Sequence, residues 1–392
     1  MANLTGQSSN RSKNRVLKFI LLLGIVSLFA DITYEGARSI TGPYLALLGA
    51  TGTAVGIIAG MGELVGYTLR LFFGYLSDKT GRYWLMTILG YTVNLLAVPL
   101  LALAGRWEIA GFLIISERIG KAIRTPSRDA MLSYATKEVG RGWGFGLHEA
   151  MDQIGAMLGP VIVAIVLFLK GGYKISFGIL LIPALLALTV LFIARYLYPK
   201  PKDLEMSRVT IETKGLPKGF WLYLGAVALV AAGYVDFPLI AFHFKKVAIS
   251  SDNWIPIFYA LAMGIDALSA LLFGHLFDRK GLSVLIFATL ISSFFAPLVF
   301  LGRFFPALLG ILLWGIGMGA QESIMRAAIA NMIPIDKRGS AYGVFNAGYG
   351  LFWFLGSALM GMLYDRSILL LIIFSVIVQL IAIPFFLMTK RT

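Results

Sequence analysis

Long apolar runs, broken at glycine, proline or small clusters of charge, recur along the whole chain. A helix needs about 20 mostly apolar residues to cross the hydrocarbon of a bilayer. Twelve segments meet that length: 16–48, 53–76, 83–104, 107–135, 142–169, 173–198, 219–247, 253–277, 282–301, 304–332, 340–364 and 367–388. The pattern predicts an all-α integral membrane protein. Its first 15 residues are polar and basic, and they lead into the first span without the small-residue cleavage site of a removable signal peptide.

The longest polar stretch, 199–218, lies near the midpoint and reads as a linker between two six-helix halves, 16–198 and 219–389. An internal repeat supports that cut. "GYLSDKTG" from Gly74 recurs as "GHLFDRKG" from Gly274, and "RGWGFGLHEA" from Arg141 recurs as "RGSAYGVFNA" from Arg338. Parallel repeats of this kind build many secondary transporters, with the substrate site at the midplane between them.

Composition agrees with the pattern: 58% of residues are hydrophobic and only 14% charged, against roughly 25% charged in soluble domains. The formal charge of +14 suggests no nucleic-acid partner, because the bases are spread over short loops and form no single face. They set orientation instead. Arg11, Lys13, Arg15 and Lys18 precede the first span; Lys79, Arg82, Lys137, Arg141, Arg279, Lys280, Lys337 and Arg338 fill the even-numbered turns, and Lys390 and Arg391 the end. The opposite loops hold fewer, so both termini are expected on the cytoplasmic side of the cell membrane. With no cysteine and three histidines, the chain offers no thiolate chemistry and little for a metal. "HEAMD" from His148 lacks the second histidine of the HExxH zinc motif. No nucleotide loop, nucleophile constellation or cofactor motif is present, so the chain is not expected to be an enzyme.

"GYLSDKTGR", Gly74 to Arg82, resembles the loop motif between helices two and three of the major facilitator superfamily. The resemblance implies that Asp78 belongs to a charge relay bracing the cytoplasmic gate with Gly74, Gly81 and Arg82, its partners being Arg124, Arg128 and Asp129. Helix five, with Gly146, Gly155, Gly159 and Pro160, is similar to the antiporter motif of proton-coupled drug exporters, although Val163 and Ala164 stand where that motif closes on two glycines. Facilitators of this kind act as monomers, which the resemblance carries over.

An ionisable group at mid-membrane costs about 2.5–3.5 kcal/mol on insertion scales, so each such group is expected to face a cavity or a partner. Asp31, Glu35 and Arg38 fall on one face of helix one, and Glu63 near the middle of helix two. Helix four carries a basic stripe, Arg118, Lys121, Arg124 and Arg128, and helix five carries His148, Glu149 and Asp152. Glu149, Asp152, Asp31, Glu35 and Glu63 are the candidate proton carriers. His148 and Asp152, four apart, are as readily a simple helical pair as a relay. Arg118, Lys121, Arg38, Tyr34, Asp236, Asp266, Asn346 and Tyr349 are candidate substrate contacts. Tyr67, Phe237, Tyr259, Phe345 and Trp353 are further candidate wall residues, and His243 and His275 read as interfacial. The reading that follows is proton-coupled export of a small organic or amphipathic compound. Two other cargoes stay open: an anionic metabolite held by the helix-four bases, and a divalent metal held by the acids.

Overall fold

The computed structural model describes residues 2–136, 141–199, 216–334 and 337–390, and every regular element among them is helical. Twelve crossings follow in order. They are α1 (Ala2–Leu47), α2 (Gly52–Thr80), α3 (Tyr83–Leu100, prolonged by a 3-10 turn at Leu101–Leu103), α4 (Trp107–Thr136) and α5 (Arg141–Phe168). Next come α6 (Gly172–Leu197), α7 (Lys218–Lys246), α8 (Trp254–Lys280) and α9 (Ser283–Leu301), then α10 (Phe304–Met332), α11 (Arg338–Arg366) and α12 (Ile368–Thr389). Eleven are long and apolar enough to cross a membrane; α4 is the exception, because its charged stripe falls inside the span. Most of the expected linker lies outside the described residues, as do Lys137 and Arg391; the side chains of Arg11, Lys13, Arg15, Arg141 and Arg326 are likewise not described.

Local chemistry sets the ends of α2. The Thr51 hydroxyl accepts a hydrogen bond from the Ala54 amide at 3.1 Å, satisfying one of the free N–H groups at the helix start. At the other end Gly81 has φ 63°, the left-handed conformation that closes a helix and that other residues resist.

Three spans depart from the expected continuous helix: α6 is interrupted at Leu180, α9 between Ser292 and Phe295, and α7 over the longest stretch. The α7 crossing is two helices, Lys218–Gly233 and Phe237–Lys246, and Pro238 at the start of the second has no amide to continue the ladder. Backbone groups freed at such a break need partners in hydrocarbon. The Gly233 carbonyl accepts from Ser375 Oγ at 2.6 Å and Gln379 Nε2 at 3.1 Å, both on α12, and the Val235 carbonyl accepts from Trp314 Nε1 at 2.9 Å on α10. The break therefore holds Asp236 at the start of a buried helix.

The first six helices meet the last six on the side of the membrane opposite the termini. Close approach of α2 to α11 puts the Ser357 carbonyl 2.3 Å from where a Cβ on Gly56 would lie. The Pro238 carbonyl of α7 likewise stands 2.0 Å from a Cβ on Gly42 of α1. At the rim, Asp365 of α11 accepts from the Gly52 amide (2.8 Å), the Thr53 amide (2.7 Å) and Thr53 Oγ1 (2.7 Å), capping α2 from the other half of the chain. On the terminal side the helices part around a cavity of about 690 Å³, whose wall includes Gly146, Arg70, Ser323 and Asn346, all in the terminal-side halves of their helices. The structure is thus sealed on the far side and open toward the termini.

Filling the seam should reverse that preference. With no native cysteine to interfere, Ser323→Cys on the cavity wall is expected to react readily with a membrane-impermeant thiol reagent. The same position in a Gly56→Leu background should react several-fold more slowly. Equal rates would show that the seam does not hold the conformation.

Candidate substrate and coupling site

The cavity lies between the two sets of six helices and is closed at its deep end by charged and aromatic residues. Eight ionisable side chains line it: Glu35 and Arg38 from α1, Glu63 and Arg70 from α2, Arg118 and Lys121 from α4, Glu149 from α5 and Glu322 from α10. Tyr67, Phe345, Tyr349 and Trp353 supply aromatic wall, and Gln153, Gln321 and Asn346 supply neutral polar groups.

The helix faces explain the arrangement. Glu35 and Arg38 share a face of α1, and Arg118 and Lys121 share one of α4, so the packing of α1 and α4 around α2 brings opposite charges together. Arg38 is 2.9 Å from Asp236 and 3.2 Å from Glu63. Arg118 is 3.5 Å from Glu63 and 3.3 Å from Glu117, which accepts from Asn94 Nδ2 at 2.7 Å. Lys121 stands 3.9 Å from Glu35 and 4.1 Å from the centre of the Tyr34 ring. Two contacts join the two sets of helices at the deep end, Arg38 to Asp236 and Tyr259 Oη donating to Glu35 at 2.5 Å, and Trp353 Nε1 of α11 donates to Asp236 at 3.3 Å within the second set.

A second polar group is buried among α1, α4 and α5, outside the cavity wall. Arg128 donates to Asp129 from Nε (2.9 Å) and to Ser27 from Nη1 (3.0 Å), and lies 4.0 Å from Asp152. His148 Nδ1 is 3.4 Å from Asp152 on the same helix. Arg124, 1% exposed, stacks on Tyr91 at 4.2 Å. Asp31, 4% exposed, makes no ion pair among the described residues, and its Oδ2 is buried with no hydrogen-bond partner.

The candidates from sequence thus divide by place. Glu35, Glu63, Glu149, Arg38, Arg118, Lys121, Asn346 and Tyr349 line the main cavity, whereas Asp31 and Asp152 do not. Tyr34 and Asp236 border a small recess beyond its deep end. Asp266 is buried behind Ala267 and Ala270, which line the wall. Phe237 and Tyr259 are buried one layer deeper, their rings 4.3 Å apart. Gly146 reaches the cavity, while Gly155 and Gly159 seat α5 on α1: a Cβ on Gly159 would meet the Ile32 carbonyl at 2.4 Å. Pro160 follows inside α5, well before its end at Phe168, and has no amide to give to the helical ladder.

Of the gate group, Gly74 lies against Pro126, at a Cβ distance of 3.5 Å, and Arg82 precedes α3. Asp78 accepts a hydrogen bond from Tyr83 at 3.1 Å; its expected partners Arg128 and Asp129 are instead paired with each other. His243 departs from its interfacial reading. It is 2% exposed and its Nδ1 lies 3.1 Å from Tyr364 Oη, because the α7 break turns this end of the helix into the seam. Sequence alone singles out neither Gln153 and Gln321 nor the seam residue Asp365, whereas Arg70 and Glu322 stand out there as charges within apolar spans. No group of three or more His, Asp or Glu with metal-holding geometry occurs among the described residues.

Twelve helices about a central polar cavity define a class of membrane transporter. The chain matches the major facilitator superfamily over residues 21–357 and again over residues 222–392, and it belongs to that family. It is 41% identical over 373 residues to an uncharacterized protein of Mycobacterium tuberculosis, covering 93% of this chain and 91% of the relative. An uncharacterized MFS-type transporter of Methanocaldococcus jannaschii is 26% identical over 375 residues, 92% of each. Among solved structures, a bacterial homologue of the human lysosomal transporter Spinster, inward-facing and unoccupied, superposes with TM-score 0.74 at 15% identity, over 96% of this chain and 97% of that one. The protein is a multi-pass membrane transporter of the facilitator class.

Removing one member of a buried ion pair strands the other, at a cost of about 3–5 kcal/mol. Asp236→Asn is therefore expected to lower the thermal unfolding midpoint of detergent-purified protein markedly. Glu108→Gln, which removes the partner of the exposed Arg106 pair (3.1 Å), should leave it nearly unchanged. Equal midpoints for the two variants would show that the Arg38 pair adds nothing to the fold.

Proposed function

We propose that this protein is a proton-coupled secondary transporter that exports a small, cationic or amphipathic organic compound by alternating access. It acts as a monomer in the cell membrane with both termini in the cytoplasm, and its two six-helix halves rock about the central cavity. One observation carries the choice of cargo. The cavity bases Arg38, Arg118 and Lys121 are each engaged by carboxylates, whereas Glu149 is exposed into the cavity, where its described side-chain contact is Gln153 at 3.4 Å. A cationic group can sit on Glu149 without displacing a base, and Tyr67, Phe345, Tyr349 and Trp353 offer it ring faces.

In this scheme the compound enters from the terminal side, toward which the cavity wall among the described residues extends. Closing that side and parting the α2–α11 seam exposes it on the other. Glu35 and Glu63 stand beside fixed bases, so that substrate and proton compete for one electrostatic balance. The presence of Arg70 and Arg118 on the wall favours a second reading, carriage of an organic anion.

Proteoliposomes separate the two. With an imposed pH gradient, tetraphenylphosphonium is expected to move against its own gradient, and Glu149→Gln should reduce that movement at least tenfold. Gradient-driven movement of benzoate alone, unaffected by Glu149→Gln and lost in Arg118→Gln, would establish the anion carrier instead.

A further inference from the structure

Asp31 and Glu35 are one turn apart on the same face of α1, yet they meet different surroundings. Glu35 lines the cavity and has Tyr259 and Lys121 as contacts. Asp31 is turned away from the cavity against α5, where a Cβ on Gly155 would lie 2.8 Å from the Asp31 Cβ. The charges that act on Asp31 are Asp152 from α5, Lys121 and Arg124 from α4, and Glu35 from its own helix. Behind Asp152 stand His148 at 3.4 Å and Arg128 at 4.0 Å. From α7 and α8 the nearest polar groups, Asp236 and Tyr259, engage Arg38 and Glu35 one or two turns further along. An ionised carboxylate buried beside another acid and touching no base is expensive, whereas the neutral acid leaves only an unmet hydrogen bond.

Lys121 connects the two sites. Its ammonium lies within reach of Glu35 and over the Tyr34 ring, and among the charges acting on it are both Glu35 and Asp31. A lysine on a flexible stem is a mobile point charge, unlike the forked arginines on either side.

We infer that Asp31 carries the coupled proton and that Lys121 is the toggle that reports its state to Glu35 in the substrate cavity. The inference rests on the proton-coupled reading above. While Asp31 holds its proton, Lys121 stays with Glu35 and occupies the second cavity carboxylate that a cation seated on Glu149 would use. When the O–H bond of Asp31 breaks and its proton leaves past Asp152 and His148 to the terminal side, Lys121 swings one turn toward the new anion. Glu35 is then free for the substrate. Reprotonation returns Lys121 to Glu35 and expels the substrate. Proton and substrate exclude each other although they never share a residue.

Infrared difference titration of the full-length purified protein tests this without any substrate. A protonated-carboxyl C=O band that titrates in the wild type is expected to vanish in Asp31→Asn and to persist at a displaced frequency in Asp31→Glu. Its midpoint should rise by about one pH unit or more in Lys121→Met, where the stabilising charge is gone, and stay near the wild type in Lys121→Arg. Glu35→Gln should lower the midpoint by releasing Lys121, and this shift should fall below half in the Lys121→Met background. A band that survives Asp31→Asn, a midpoint unmoved in Lys121→Met, or a Glu35→Gln shift of equal size in both backgrounds would overturn the inference. Gradient-driven transport that continued in Asp31→Asn would overturn it too, while leaving the proposed transport itself standing.

Discussion

The cost of charge in hydrocarbon governs this molecule. Arg38 cannot give up its proton in a protein, so it must be neutralised where it stands, in the middle of α1. Glu63 answers it from α2 and Asp236 from the break in α7. That requirement links the two sets of six helices at their deepest point, fixes the break in α7 that presents Asp236, and places the floor of the cavity. The carbonyls freed by the break are in turn held by Ser375, Gln379 and Trp314. Much of the polar chemistry in the second half of the chain serves that one bend.

The far-side seam and the ion-pair floor divide the work of holding the structure closed. The seam relies on small residues, Gly42, Gly56 and Gly361, which let backbones touch where hydrophobic burial gives no drive between helices in lipid. The carboxylate of Asp365 adds directional bonds to the start of α2 at the rim. Such contacts are numerous and individually weak, which suits a surface that must part. The floor is different in kind: its charges are paired, since an unpaired one in hydrocarbon is costly.

Two acids four residues apart in helix one show how place decides role. In sequence Asp31 and Glu35 are equivalent members of an acidic stripe. In the fold, the close seating of α5 on α1 at Gly155 and Gly159 shuts Asp31 away from the cavity and leaves Glu35 on its wall. Lys121, a single step along the α4 stripe from Arg118, falls between them. That packing supports the proposed separate seats for proton and substrate, joined by one mobile charge.

The chain alone determined the solvent, the helix count and the list of costly charges, because these depend on composition and on distance along one helix. Apolar length marks eleven of the twelve crossings whatever their arrangement, α4 being set apart by its charges, and the positions of Arg38, Arg118 and Glu63 mark them as partnered before any partner is known. Their pairings could not be read, since Arg38 meets Asp236 across 198 residues of sequence and the pairing depends on where α7 breaks. Burial is equally a property of neighbours. His243 reads as interfacial near a span end and is buried against Tyr364, and Asp365 reads as a loop charge and caps a helix from the other end of the chain. Only the tertiary structure decided which carboxylates share the cavity and which face of the membrane it opens to, because both depend on how separate helices lie against one another.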